Sequence, residues 1–176
     1  MSVEFPSAVA LGVGFRPAGE ADLLFLAFLY ASTRWEELAP TGWPIEAQKR
    51  FLVEQFSLQH SHYNKYHPDA ARLVVERDGA PIGRVYLDET ERRFNLIDIA
   101  LLPEHRGGGI GGAILGDLVR RARETGRAID LFVEKNNPVR RLYDRLGFVT
   151  VEDAGVYDRM EWLPPSADRK GPSPSG

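Results

Sequence analysis

The chain has 176 residues, 43% apolar and 27% charged, with a net charge of −3, proportions that suit one soluble domain with a sizeable core. That charge gives no overall attraction to nucleic acid or to an anionic membrane. It holds no cysteine, which excludes disulfides, thiolate zinc sites and an acyl-cysteine intermediate, so a transferase built on it passes its group directly or through another nucleophile.

In chain order, the opening "MSVEFPSAVALGVGFRPAG" contains an apolar stretch, Ala8–Phe15, with no basic residue before Arg16. It is too short to span a bilayer and lacks the charged start of a signal peptide, so it reads as a leader into a first strand near Gly12–Arg16. No apolar run of about 18 residues occurs elsewhere, so no membrane crossing is expected and the cytoplasm is the default location. "EADLLFLAFLYASTRW" carries apolar residues on a helical period, and a second helix is predicted from Ile45 to Tyr63. "ARLVVERDGAPIGRVYLDE" reads as a hairpin, Leu73–Arg77 and Ile82–Leu87, turning at "DGAP". "FNLIDIALL", Phe94–Leu102, is apolar on both faces, as in a strand covered on both sides. Ile110, Ile114, Leu118 and Ala122 recur every four residues and predict an amphipathic helix from Ile110 to Thr125. A strand "AIDLFVE", a short helix "PVRRLYDRL" ended by Gly147, and an antiparallel pair "FVTVED" and "GVYDRMEW" follow. The expected organisation is one α/β domain over residues 1–163, largely antiparallel with one parallel crossover, and a flexible Pro/Ser/Gly tail over 164–176.

"PEHRGGGIGG", residues 103–112, holds five glycines in its last six positions. Glycine is costly to order, and this density asks for a ligand that approaches bare backbone. A P-loop is excluded, because no Gly-Lys-Ser/Thr follows. Gly107, Gly109 and Gly112 satisfy the dinucleotide pattern G-x-G-x-x-G. Against that reading, Pro103, Glu104, His105 and Arg106 separate the strand from the first glycine, and too few residues follow for a doubly wound sheet. An anion cradle at the start of the helix remains, its outward amides supported by the helix dipole and by Arg106.

"R-G-G-G-I-G" (Arg106–Gly111) resembles the R/Q-x-x-G-x-G/A acyl-CoA signature of the GNAT superfamily of N-acyltransferases. "N-x-x-V-x-x-L-Y-x-x-L-G-F" (Asn136–Phe148) resembles its second motif, with Val139 where alanine is usual. The resemblance covers about residues 10–162. It implies a mixed, mostly antiparallel sheet of about seven strands flanked by four helices, with the two middle strands splayed. It further implies acetyl transfer from acetyl-CoA to a primary amine of a small molecule or peptide, by direct transfer in a ternary complex. A non-catalytic CoA-binding or regulatory module on the same fold is the competing class, and a homodimer is compatible with either.

By the same resemblance, the amides of Arg106, Gly107, Gly108, Gly109, Ile110 and Gly111, continued by Gly112, would hold the CoA pyrophosphate. The amide of Leu101 or Leu102 would polarise the thioester carbonyl. Tyr143 would protonate the departing thiolate, and Asn136 or Asn137 would contact the cofactor, with helix capping open to either. Two carboxylates compete as general base. Asp98 is the only charge in its strand and is expected to share a face with Leu96 and Ala100, where burial would raise its pKa; Glu134 ends the adjacent strand. For the acceptor, Trp35, Glu36, His62 and Tyr63 are candidates among the aromatic and acidic residues of "STRWEEL" and "QHSHYNKYHP". His60 and His62 project about 200° apart on a helix, so no metal is expected.

Overall fold

The computed structural model describes residues 3–166; of the tail expected at 164–176, residues 167–176 lie outside the described residues. The leader is not a simple extended lead-in. A short helix α1 (Pro6–Val9) precedes β1 (Gly14–Pro17). It is pinned to the later helix by Asp117, whose carboxylate accepts from the Ser7 amide at 2.8 Å and the Ser7 hydroxyl at 2.6 Å.

Two helices follow, α2 (Leu23–Leu38) and α3 (Ile45–Tyr66), and pack on each other, with α2 also over the strands described next. The hairpin β2 (Ala71–Arg77) and β3 (Ala80–Glu89) turns at Asp78 and Gly79, both with positive φ (51° and 77°), the geometry of a two-residue turn that matches strand twist. β4 (Arg93–Leu101) runs antiparallel to β3. The amphipathic helix α4 (Ile110–Thr125) lays Ile114, Leu115, Leu118 and Ala122 into the core and delivers the chain to β5 (Ala128–Glu134). After α5 (Arg140–Leu146), the strands β6 (Val149–Ala154) and β7 (Tyr157–Trp162) close the chain. Among the described residues the four expected helices are joined by a fifth, the short α1.

The seven strands form one sheet in the order β1-β2-β3-β4-β5-β7-β6, antiparallel except for β4 beside β5. That parallel pairing is short. It runs from Arg93 opposite Ala128 to Leu96 opposite Leu131 and stops there, although β4 continues to Leu101 and β5 to Glu134. Beyond that point the two central strands have parted.

A bulge in β4 sits at the parting. Tyr86 faces Asp98 and Leu87 faces Leu96, so Ile97 is an extra residue. A one-residue insertion reverses the faces of everything after it. Leu96 and Leu101 both belong to the core cluster with α4, whereas Asp98 lies on the opposite face, toward α3. The expected shared face of Asp98 with Leu96 is thereby corrected; Ala100 remains on the Asp98 side.

No described helix is long and apolar enough to cross a membrane.

Candidate active site

The glycine loop lies at the mouth of the opening between β4 and β5. Pro103–His105 forms one 3-10 turn, and the Arg106 amide is consumed there, donating to the Pro103 carbonyl at 3.2 Å. It is therefore not part of the expected row of outward amides. The amides of Gly107, Gly108, Gly109, Ile110, Gly111 and Gly112 donate to no backbone carbonyl of the described residues; those at the helix start are the unsatisfied donors that open any α-helix. Gly107 and Gly109 have φ of 77° and 86°, a left-handed conformation that disfavours other residues. Gly108 and Gly111 have no such need, and a Cβ at either would meet nothing within 4 Å. Nothing in the folded chain explains these two glycines, whereas an anion seated against the amides would occupy the space a Cβ fills. The loop thus fits a pyrophosphate.

Arg106 contributes through its side chain. Its Nε donates to the Leu101 carbonyl at 2.9 Å, which anchors the guanidinium on the free edge of β4 with its terminal nitrogens to spare. The same edge separates the two candidate oxyanion amides. Leu102 donates to the Ile82 carbonyl at 2.8 Å, so its amide is committed to β3. Because alternate residues of an antiparallel pair point to opposite sides, the Leu101 amide faces the gap left by β5, and Leu102 is excluded from the role.

Tyr143 comes from α5, a helix terminated by Gly147 at φ 95°. The Phe148 amide returns to the Tyr143 carbonyl at 3.0 Å, a Schellman closure that sets the Phe148 ring, tilted, 5.5 Å from the Tyr143 ring. The motif "LYDRLGF" is thus a device for packing a tyrosine against the core, and Tyr143 is 5% exposed. Burial, and then the charge of Asp98, hold its phenol well above the ordinary value of 10.0, so it stays protonated at neutral pH. The same two causes raise Tyr63 on α3. The charge of Asp98 thus reaches both phenols, which links these three candidates electrostatically.

Neither candidate base is isolated. The Asp98 Oδ2 accepts from Arg84 Nε at 2.5 Å, in place of the bare apolar surroundings expected for it. Glu134 accepts from Arg34 of α2 at 2.5 Å. Burial works against the Arg34 charge, but Glu134 and then Glu37 more than offset it and hold the guanidinium above its ordinary value. Arg34 also lies over the Tyr30 ring, 5.9 Å from its centroid, and Tyr157 on β7 is the strand partner of Glu134. Arg84, Arg34, Tyr30 and Tyr157 gather round the two candidate carboxylates, and the sequence reading named none of them. For Arg84 a signal existed: it is the one charge inside the apolar run "PIGRVYL", and a buried arginine demands a carboxylate from a neighbouring strand.

The two asparagines divide their roles. Asn137 Oδ1 accepts from the Val139 amide at 3.0 Å and so holds the turn into α5. Asn136 is exposed and is the one left to meet a ligand. Of the acceptor candidates, only Tyr63 joins the cluster. Trp35 and Glu36 lie on an exposed side of α2, and His62 is exposed on α3 with its ring 4.5 Å from that of Tyr66.

A sequence profile of the acetyltransferase (GNAT) family matches residues 32–148. Among curated relatives, a mycothiol acetyltransferase of Nocardiopsis dassonvillei is 31% identical over 114 residues, covering 64% of this chain and 29% of that protein. A [ribosomal protein bS18]-alanine N-acetyltransferase of Haemophilus influenzae is 36% identical over 75 residues, covering 42% of this chain and 49% of that protein. The chain thus spans less than half the length of either. Among solved structures, the PaiA N-acetyltransferase of Thermoplasma acidophilum in complex with coenzyme A superposes with a TM-score of 0.63 at 21% identity, covering 86% of this chain and 98% of that one. YncA of Salmonella typhimurium, a putative acetyltransferase with acetyl-CoA, superposes with a TM-score of 0.55 at 18% identity, covering 93% and 99%. With the parted central strands, the glycine cradle and the profile match in agreement, the chain belongs to the GNAT acetyltransferase family.

Proposed function

We propose that the protein moves an acetyl group from acetyl-CoA to a primary amine of a small molecule or peptide, directly and within a ternary complex. The observation that carries this reading is the opening between β4 and β5, with uncommitted glycine amides at its mouth, Asp98 on β4 just past the parting, and a Tyr143 phenol that feels the Asp98 charge. The amides of Gly107–Gly112 and the Arg106 guanidinium would hold the pyrophosphate, and Asn136 would add a polar contact. Acetyl-CoA supplies the activated thioester carbon when bound. The Leu101 amide is the donor to its carbonyl oxygen. Asp98 takes the proton of the acceptor amine, and Tyr143, kept as a phenol by burial and by Asp98, gives its proton to sulfur. The absence of cysteine supports direct transfer over an acyl-cysteine route. The name of one curated relative, an alanine N-acetyltransferase, supports an amine acceptor.

The test is thiol release from acetyl-CoA across a panel of amines, amino acids and peptides. The wild-type protein is expected to turn over at least one class, and Tyr143→Phe to lower kcat by about 100-fold or more with CoA affinity unchanged. Tight CoA binding without turnover on any acceptor would favour a binding module. Binding of NAD in place of CoA would overturn the reading.

A further inference from the structure

Behind Asp98 sits a charge that the proposed chemistry does not use. Arg84 of β3 is 3% exposed, and its guanidinium bridges two elements. Nε donates to Asp98 Oδ2 on β4 at 2.5 Å, and a terminal nitrogen donates to Gln59 Oε1 on α3 at 2.8 Å. Its plane lies 4.8 Å from the centre of the Tyr86 ring, and the Tyr86 hydroxyl is buried without a hydrogen-bond partner. Tyr63 meets Tyr86 edge-on at 5.9 Å. The groups around Asp98 are thus Arg84 and Tyr86 from β3, Tyr63 from α3 and Tyr143 from α5, with His60 of α3 also close to Arg84.

A guanidinium taken out of water is costly unless it is paired, and a structural arginine needs no contact with a reactive strand. This one fixes Asp98 by a single oxygen. Oδ2 is committed to Arg84, while Oδ1 accepts from no group of the described residues.

We propose that Arg84 is a positioning residue that clamps Asp98 by Oδ2, leaves Oδ1 to receive the acceptor proton, and ties that carboxylate to α3 through Gln59. The inference rests on the acetyltransferase reading above. In the step it serves, the acceptor N–H proton passes to Asp98 Oδ1 as the N–C bond forms. The C–S bond breaks, and Tyr143 supplies the proton that sulfur takes up.

The test compares full-length wild type, Arg84→Gln, Arg84→Lys, Gln59→Leu, Asp98→Asn and the Arg84→Gln/Asp98→Asn double variant. Arg84→Gln is expected to lower kcat roughly tenfold or more with KM for acetyl-CoA little changed. Arg84→Lys should restore most of the rate. The double variant should be no slower than Asp98→Asn alone. If Arg84→Gln does not fold, Gln59→Leu carries the test: it should lower kcat severalfold with melting close to wild type. A lysine variant no better than the glutamine one, additive losses in the double variant, or wild-type kcat in Gln59→Leu overturns the proposal. A wild-type protein that acetylates nothing refutes the acetyltransferase reading instead.

Discussion

Replacing Gly108 with alanine separates the ligand's demand on the glycine loop from the fold's. Gly108 lies outside the left-handed region, and a Cβ there meets no atom within 4 Å. Folding should therefore be unaffected or gain up to about 1 kcal/mol, because alanine narrows the unfolded ensemble. The added methyl instead fills the space over the free amides. Overpacking a fitted site costs about 1–3 kcal/mol, which corresponds to a roughly 5- to 150-fold rise in the Kd of CoA. Gly107, at φ 77°, provides the contrast: alanine there strains the backbone by about 1–2 kcal/mol and should lower the melting temperature. The assay is isothermal titration of CoA beside thermal unfolding for both variants. A Gly108→Ala protein that melts like wild type and binds CoA equally well would refute the cradle. Loss of binding only in step with loss of stability would also refute it, since the glycines would then serve the turn alone.

Four other substitutions address the rest of the molecule. Asp98→Asn should lower kcat/KM by about 100-fold or more, whereas Glu134→Gln, which breaks a partly exposed pair with Arg34, should cost about 1 kcal/mol or less of stability and little rate; a steeper loss in Glu134→Gln would reassign the base. Asp22 is held at about 2, from an ordinary 3.8, chiefly by Arg16 and then by the Gly19 amide. Because its folded pKa is depressed, its contribution is complete above about pH 4 and fades as the pH falls toward 2. Urea unfolding should therefore find Asp22→Asn less stable than wild type at pH 7, with the gap closing toward pH 2; a gap independent of pH would contradict the pairing. Gly83→Ala should destabilise by about 1–3 kcal/mol, read by urea unfolding, because its Cβ would run into the Ala100 carbonyl and lie 2.6 Å from Leu101 Cδ2.

Where the chain announces its own punctuation, the structure was legible in advance. α4 begins at Ile110 and ends before Gly126 because an apolar period of four lies between a glycine run and a left-handed cap, φ 66°. The short helix carrying Tyr143 was visible for the same reason, with Pro138 at its start and Gly147 at its end. The bulge at Ile97 was not visible. In "NLIDIALL" nearly every residue is apolar, so alternation carries no sign of which side chain faces which way, and the orientation of Asp98 was misjudged accordingly. The arginine partners were hidden differently: Arg84 and Arg34 meet their carboxylates across 14 and 100 residues of chain, separations that no local pattern encodes. The competition between Asn136 and Asn137, and between Leu101 and Leu102, turned on which backbone group was already spent, and only the folded chain reveals that.

The early end of the β4–β5 pairing reaches beyond ligand binding. Four residue pairs, Arg93–Ala128 to Leu96–Leu131, join a four-stranded panel to a three-stranded one, and past them each panel presents a raw strand border inside the molecule. Proteins commonly protect outer borders with charge, proline or a covering loop, since an unpaired strand recruits other extended chains. An inner border that must admit a ligand cannot be sealed in that way. Its guard is the occupant itself: with CoA as the proposed occupant, CoA in the storage buffer is expected to delay aggregation by closing the seam.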